Sequence, residues 1–559
     1  MSDAAPRLPM IVLCAPEHPE ILVDEFGRYL RDYDVRTTAS TAETSALLTT
    51  ARADGVPVAL LVTESRLPDS HVFPAFGQWR SIMPTARRIV AAHWEYFRAD
   101  ADELREGMAK GKYDAYLLMP RGVRDEEFHT AITELLSDWG STVAAPEVAT
   151  VQLVAPAGDP LAAGIRDFLD RMGMPSEVLA PESDAGAAIL AGYDGTPDDV
   201  RRGPIVSAFS RAPTLATSVR DVAASIYGTP SDIDVETVVD LVVVGAGPAG
   251  LAAAVYGSSE GLSTVVVESE AIGGQAGTSS MIRNYLGFPR GISGMRLAQR
   301  ARSQAIRFGT RFFTGWPVVG LEPGDGEPHV VRTEGGDVRA RTVVISSGVA
   351  YRRLGVPALE DLVGFGVFYG AAVSAARELE GQDVIVVGGG NSAGQAAIHL
   401  ARFARSVTIL IRRPDLAETM SSYLIGEIAY NDVIKVRPCS VIVDGGGEGR
   451  LQWVTTRDLN TGAEAREEVG GLFLLLGAAP HCDWLGDTIC RDEHGYVLTG
   501  RDIPKDLWHD GTPPASLETA VPGVFAVGDV RFGSMKRVAA ASGEGSSVVP
   551  LVHAYLSGI

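Results

Sequence analysis

Cysteine is scarce in this chain: four among 559 residues, at Cys14, Cys439, Cys482 and Cys490. No two are spaced as Cys-x-x-Cys, and none falls between residues 14 and 439. That excludes a disulfide framework. Cationic residues are also short, with 49 Lys and Arg against 70 Asp and Glu and a net charge of −21. So acidic a chain disfavours nucleic acid, whose phosphates need cationic partners. No run of about 18 uncharged apolar residues occurs, so no membrane span is expected. The opening Met1-Ser2-Asp3-Ala4-Ala5-Pro6 has no basic stretch ahead of an apolar one. No secretory signal is therefore expected, and the expected location is cytoplasmic. The histidines show no metal-like spacing, so no metal site is expected. At this length three or four domains are expected.

Glycine, by contrast, is placed with purpose. Val238–Val244 is an apolar, β-branched run of the kind buried on both faces of a parallel sheet. It ends at Gly245-Ala246-Gly247-Pro248-Ala249-Gly250. These glycines permit a tight turn and close approach of backbone to a pyrophosphate, with the helix of Leu251–Ser259 pointing its N-terminus at it. A second strand, Thr264–Val267, leads to Glu268, placed to bond ribose hydroxyls. Strand, glycines, helix, strand and acid in this order specify a dinucleotide site, read here as FAD.

The pattern repeats. Strand Asp383–Val387 is followed by Gly388, Gly390, Asn391, Ser392 and Ala393, a helix to about Ala404, and strand Ser406–Leu410. No acid follows. Arg412 and Arg413 stand there instead, and paired guanidinium groups suit a 2′-phosphate, so this second nucleotide is expected to be NADPH.

Residues 238–559 resemble the low-molecular-weight thioredoxin reductases. The resemblance runs through Gly273-Gly274-Gln275, Asn284-Tyr285-Leu286-Gly287-Phe288, Ser347-Gly348, Leu354-Gly355-Val356-Pro357 and Val524–Asp529. It implies a nested layout, with an FAD domain of 238–352 and 476–559 interrupted by an NADPH domain of 353–475. It also implies a homodimer, and a rotation between domains to bring nicotinamide to flavin. Gly274, Gln275, Asn284, Gly348 and Gly528 would lie on the FAD side. Asp529 would bond the ribityl chain. Arg537 and Val538 would open a last helix whose amides face the flavin.

One stretch departs from that family. Its Cys-x-x-Cys and following Asp precede the second fingerprint, and here Gly370 and Val373 take the cysteine positions while Ser374 takes the acid's. Glycine and valine supply neither a thiolate nor a resolving partner. Direct dithiol reduction at this place is excluded, and no residue is assigned as catalytic. Cys482 and Cys490 read as structural thiols rather than a substitute pair. Electrons from the flavin must reach a small oxidant, a quinone, another redox protein or dioxygen. The Phe-x-Gly-x-x-x-His-x-x-x-Trp pattern of Baeyer–Villiger monooxygenases is absent.

Residues 1–140 alternate strands (Met10–Leu13, Val58–Val62, Arg88–Ala92, Tyr113–Leu118) with helices (Pro19–Tyr33, Asp100–Lys110), a doubly wound α/β pattern. Leu67-Pro68 and Met119-Pro120 resemble landmarks of response-regulator receivers. Glu64 stands at the phosphoacceptor Asp position, and Met119 at that of the lysine. Of the acidic pocket, Pro16-Glu17-His18 keeps one acid. A pseudo-receiver that docks or dimerises is the expectation.

Residues 149–228 begin with strand Thr150–Val154 and helix Pro160–Met172, and Gly203-Pro204 precedes an apolar run. The order resembles a thioredoxin fold with its cis-proline, but Ala157-Gly158-Asp159-Pro160 holds no thiols. An unrelated small α/β domain is the alternative. The turn-rich 228–232 reads as a linker.

Fold class is therefore α/β: a receiver-like domain, a thioredoxin-like domain and two nested Rossmann-type domains. The leading functional expectation is an NADPH-dependent flavin oxidoreductase with a non-disulfide acceptor. The alternatives are a redox-sensing regulator acting on a protein partner, and a biosynthetic flavin oxidase.

Overall fold

The computed structural model describes the whole chain except residues 1–7, 110, 123–124, 143–149, 209–211, 231–236, 280, 325, 371–375, 377–378, 509–510 and 559. The chain divides into two compact units. One comprises residues 1–145, 373–445 and 452–472, the other 146–372, 446–451 and 473–559. Both are α/β.

The first unit opens with a five-stranded parallel sheet. Met10–Cys14 lies between Asp34–Thr38 and Val58–Thr63, followed by Arg87–Ala92 and Ala115–Leu118. This is a doubly wound strand order. Alternation along Met10–Cys14 sends Ile11 and Leu13 into a core with Leu22, Phe26 and Trp139, and Val12 and Cys14 into the opposite core with Leu48, Phe76 and Trp79. Met119 is fully buried in the first of these cores.

Two helix limits around this sheet differ from the sequence expectation, as do the start of Pro248–Ser259, expected at Leu251, and the end of Asn391–Leu400, expected near Ala404. The first runs Pro19–Phe26 and tightens into a 3₁₀ turn at Gly27–Tyr29, where glycine no longer supports the α-helix. The fourth begins at Trp94 rather than Asp100, because its first turns carry Trp94, Tyr96 and Phe97. Tyr113 precedes its strand, and its hydroxyl donates to Leu104 O.

A second parallel sheet in the same unit contains Asp383–Val387, Ser406–Leu410 and Ile434–Arg437, with helix Asn391–Leu400 crossing from the first to the second. Ion pairs of the N-terminal module lie close to it. Arg87 pairs with Asp138 at 2.6 Å, and Arg88 with Asp114 at 3.6 Å. Arg402, just beyond the crossing helix, lies among them. Burial and Arg87 pull its guanidinium down to about 9 while Asp114 and Asp138 oppose the shift, so it stays cationic at neutral pH. Burial alone would raise the Asp114 carboxyl, but Arg88, Arg87 and Arg402 hold it below the ordinary carboxylate range.

The second unit carries a small four-stranded sheet in the order Ser176–Leu179, Val151–Val154, Ile205–Ala208 and Thr214–Leu215. No peptide bond among the described residues is cis, so Gly203-Pro204 is trans, unlike the expected cis-proline. Alongside lies a seven-stranded sheet. Val238–Val244 sits between Thr264–Glu268 and Gly336–Ile345, and Val524–Ala526 adds in parallel beyond Gly336–Ile345. Segments far apart in sequence thus complete one sheet. Val151, Leu153, Ile165 and Phe168 of the small module share one apolar core with Val243, Leu251 and Val552 of the larger.

Candidate functional site

The first glycine turn follows from its backbone. Gly245 has φ +103°, and a Cβ there would stand 2.5 Å from Ser346 O. Only glycine tolerates both conditions. A Cβ on Gly250 would run into Gly245 O, so helix Pro248–Ser259 packs directly onto the turn. Gly247 is the opposite case: nothing lies within 4 Å of its Cβ position. It caps the helix without a side-chain partner, and Pro248 follows in the first turn, leaving amides there for a bound anion. Ala249 is buried behind them, against Gly528. Two closed positions and one open one are the cradle a dinucleotide pyrophosphate requires.

Glu268 ends the second strand beside this turn. It is 8% exposed and accepts from Ala246 N at 2.6 Å and from Glu270 N at 3.0 Å. Burial pushes its carboxyl up from the ordinary range, against those two backbone donors. Gln275 Nε2 donates to Val349 O, and Thr278 Oγ1 donates to Gln275 O at 2.9 Å. Gly274 approaches Gly247. Asn284 is exposed, and Gly348 opens onto free space.

Gly528 N donates to Glu544 Oε2 at 2.7 Å, and Arg531 also pairs with Glu544, so the final helix Val538–Gly558 is tied to this turn. Burial raises the Asp529 carboxyl, opposed by Lys536, whose Nζ donates to Asp529 O. Arg537 and Val538 begin that helix, with Ala541 N donating to Arg537 O.

In the other unit, Gly390 caps helix Asn391–Leu400 without a side-chain partner, and its Cβ position is open. Gly388 forms the turn and Ala393 is buried beneath it. Ser392 is exposed. Asn391 is partly engaged elsewhere, since its Oδ1 accepts from Ser421 N at 2.7 Å. Arg412 and Arg413 are both exposed just beyond Ser406–Leu410. Arg413 pairs with Glu418, an acid that sequence reasoning did not consider.

Gly370 has φ +87°, and its Cβ position lies 3.0 Å from the ring of Tyr351. A cysteine there would need a strained backbone and a displaced tyrosine. Val373 and Ser374 fall outside the described residues. Burial raises the Tyr351 hydroxyl pKa, and a hydrogen bond to Thr278 counters it. Cys482 and Cys490 are free, and burial pushes both thiols up, away from the thiolate form.

In the N-terminal sheet Glu64 is 3% exposed and accepts from His18 N at 2.7 Å. Glu17, His18 and Glu64 converge closely, and His18 stacks on His93 at 3.9 Å. Tyr351 and Glu544 escaped sequence reasoning because they meet their partners only through tertiary folding.

Residues 239–545 match the pyridine nucleotide-disulphide oxidoreductase family. The chain belongs to that family. It is 34% identical over 328 residues to a thioredoxin reductase of Peptoclostridium acidaminophilum, covering 57% of this chain and 98% of that protein. With the thioredoxin reductase of Bacillus subtilis strain 168 it shares 32% identity, over 57% of this chain and 96% of the relative. Among solved structures it is similar to Lactococcus lactis thioredoxin reductase, at a TM-score of 0.52 and 28% identity, over 57% of this chain and all of the other. Thioredoxin reductase-like members of the family use FAD and NADPH. The two glycine turns described above both lie within the matched segment.

Proposed function

We propose that this oxidoreductase takes electrons from NADPH through FAD and passes them to an acceptor other than a dithiol of its own. The observation that carries this reading is Gly370, a left-handed glycine pressed against Tyr351 where thioredoxin reductases keep a cysteine. FAD belongs at the turn of Gly245, Gly247 and Gly250, with Glu268 on its ribose and Asp529 toward its ribityl chain. The amides of helix Pro248–Ser259 hold the pyrophosphate. The remaining residues assigned above to either nucleotide line the same two sites. NADPH belongs at Gly388, Gly390 and Asn391, with Arg412 and Arg413 reading its 2′-phosphate. Bound FAD supplies two-electron chemistry that no side chain offers. The acceptor class is a small oxidant, a quinone, a redox protein or dioxygen.

Anaerobic stopped-flow mixing with NADPH and then NADH, followed by reoxidation with dioxygen, a quinone and ferredoxin, tests this. Flavin bleaching by NADPH and turnover with one of these acceptors is the expected result. A flavin that stays oxidised under NADPH sinks the reading.

A second reading is supported by these ion pairs. The N-terminal sheet and the second parallel sheet share one unit, and the charges of Arg87 and Asp138 act on Arg402 there. We propose that the N-terminal sheet is a pseudo-receiver, with Glu64 and Met119 replacing the phosphorylation machinery, that reports nucleotide state to a protein partner. Partner affinity with and without NADPH distinguishes this role. The small module of 151–228 is proposed as thioredoxin-like and without thiols, and the chain as a cytoplasmic homodimer. No described helix is long and apolar enough to cross a membrane.

A further inference from the structure

The small module of residues 151–228 has no cysteine in its sequence, yet it shares a core with the sheet that carries the first glycine turn. Phe168, Leu169 and Met172 of its helix pack in one cluster with Leu251, Ala271 and Ile272. Those last two residues directly follow the loop after Glu268. Gln299 reaches over to the Cβ position of Gly173, just past the helix. The helix end is therefore held closely against the nucleotide fold.

Arg171 is the last residue of that helix. Its side chain is one-fifth exposed, and Nη1 donates to Glu270 Oε2 at 3.1 Å. Asp167 lies 4.0 Å away on the same helix. Arg171 Nε is buried with no partner. Glu270 N in turn donates to Glu268 Oε1, and Glu268 Oε2 accepts from Ala246 N in the glycine turn. A continuous polar chain thus runs from the small module into the fingerprint.

We propose that the module of residues 151–228 is a wall of the flavin's adenosine end, and that Arg171 is the positioning residue it supplies, holding Glu268 in its anionic, hydrogen-bond-accepting form. This rests on the reading of Gly245–Glu268 as the FAD site. An ionised carboxylate offers both oxygens as acceptors to the two hydroxyls of a ribose diol, and protonation turns one of them into a donor. Glu268 is buried, which favours its neutral form, and the charge of Glu270 works the same way; the amides of Ala246 and Glu270 oppose this, and the charge of Arg171 adds to them. Asp167 faces the guanidinium rather than Glu268.

The test is titration of the full chain, stripped of flavin, with FAD at pH 5.5 to 8.5, read by quenching of flavin fluorescence. Wild type, Arg171→Ala, Arg171→Met and Arg171→Lys are compared. Loss of the cation should weaken FAD binding about tenfold near neutrality. It should also move the acid limb of the binding profile to higher pH, because the Glu268 pKa rises without its counter-charge. Arg171→Lys should restore much of both, and Arg171→Met keeps the aliphatic packing should the alanine variant fold poorly. Wild-type affinity and pH profile in the methionine variant overturn the proposal. So does an equal loss at every pH that tracks a lowered melting temperature, which marks Arg171 as structural only. A wild-type chain that never binds FAD overturns the flavin reading itself, a distinct result.

Discussion

The two glycine turns share a backbone plan and differ in how the second strand ends. At Gly245 the strand leads to Glu268, buried and already bonded to two backbone amides. At Gly388 it leads to Arg412 and Arg413, both in solvent. A buried acceptor fixed by its surroundings suits a group that stays. Exposed guanidinium groups suit a visitor recognised by charge, since little is reorganised when it leaves. Under the proposed assignment, the difference would separate a resident cofactor from an exchanging one within a single chain.

The largest expected effect breaks the first turn. Gly250→Val drives a branched side chain into Gly245 O and should abolish flavin retention, measured as the absorbance ratio of flavin to protein after gel filtration. Next is the support beneath the second turn. Asp114→Asn strips Arg88 of its paired carboxylate and leaves Asp138 as the remaining acid beside Arg87 and Arg402, and should cost about 3 kcal/mol of stability at pH 7. Because the folded-state pKa of Asp114 is depressed, its contribution is present above the ordinary carboxylate pKa of about 4 and is lost as pH falls through the folded value. The melting-temperature gap between wild type and Asp114→Asn should therefore narrow below about pH 4.

A smaller effect sharpens the comparison of the strand ends. Arg412→Ser should raise KM for NADPH roughly tenfold and leave NADH nearly unchanged. Arg413→Ser should do less, since Glu418 already engages that guanidinium. Equal losses for both nucleotides would remove the 2′-phosphate assignment. Smallest is Gly370→Ala, which should cost about 1 to 2 kcal/mol from the left-handed backbone. Gly370→Cys paired with Val373→Cys should fail to restore thioredoxin reduction while Tyr351 is present, and a dithionitrobenzoate thiol count would show whether the two sulfurs join.

Much of this was legible in the sequence because the glycine roles are local. A positive φ at Gly245 and a helix packed on Gly250 follow from a few adjacent residues. The exposed arginines and the lack of cysteine were equally readable. What escaped depends on tertiary approach. Tyr351 meets Gly370 from another strand, Arg171 reaches Glu270 from another module, and Glu544 ties the last helix to Gly528. The helix beginning at Trp94 was read six residues late because its aromatic start breaks the polar-apolar rhythm. The cis expectation at Pro204 came from a fold resemblance, and nothing in the local sequence demanded that isomer.

Val524–Ala526 pairs with Gly336–Ile345, which was made roughly 180 residues earlier. During synthesis that strand waits with one hydrogen-bonding edge bare, while the whole inserted nucleotide fold emerges after it. Glu544, which secures Gly528, arrives later still. The turn at Gly528 and the sheet edge beside it are thus among the last parts of this unit to close. A nascent chain that stalls before residue 524 exposes a sticky edge, and its recognition by chaperones, rather than any loss of catalysis, is the first cost of a late truncation.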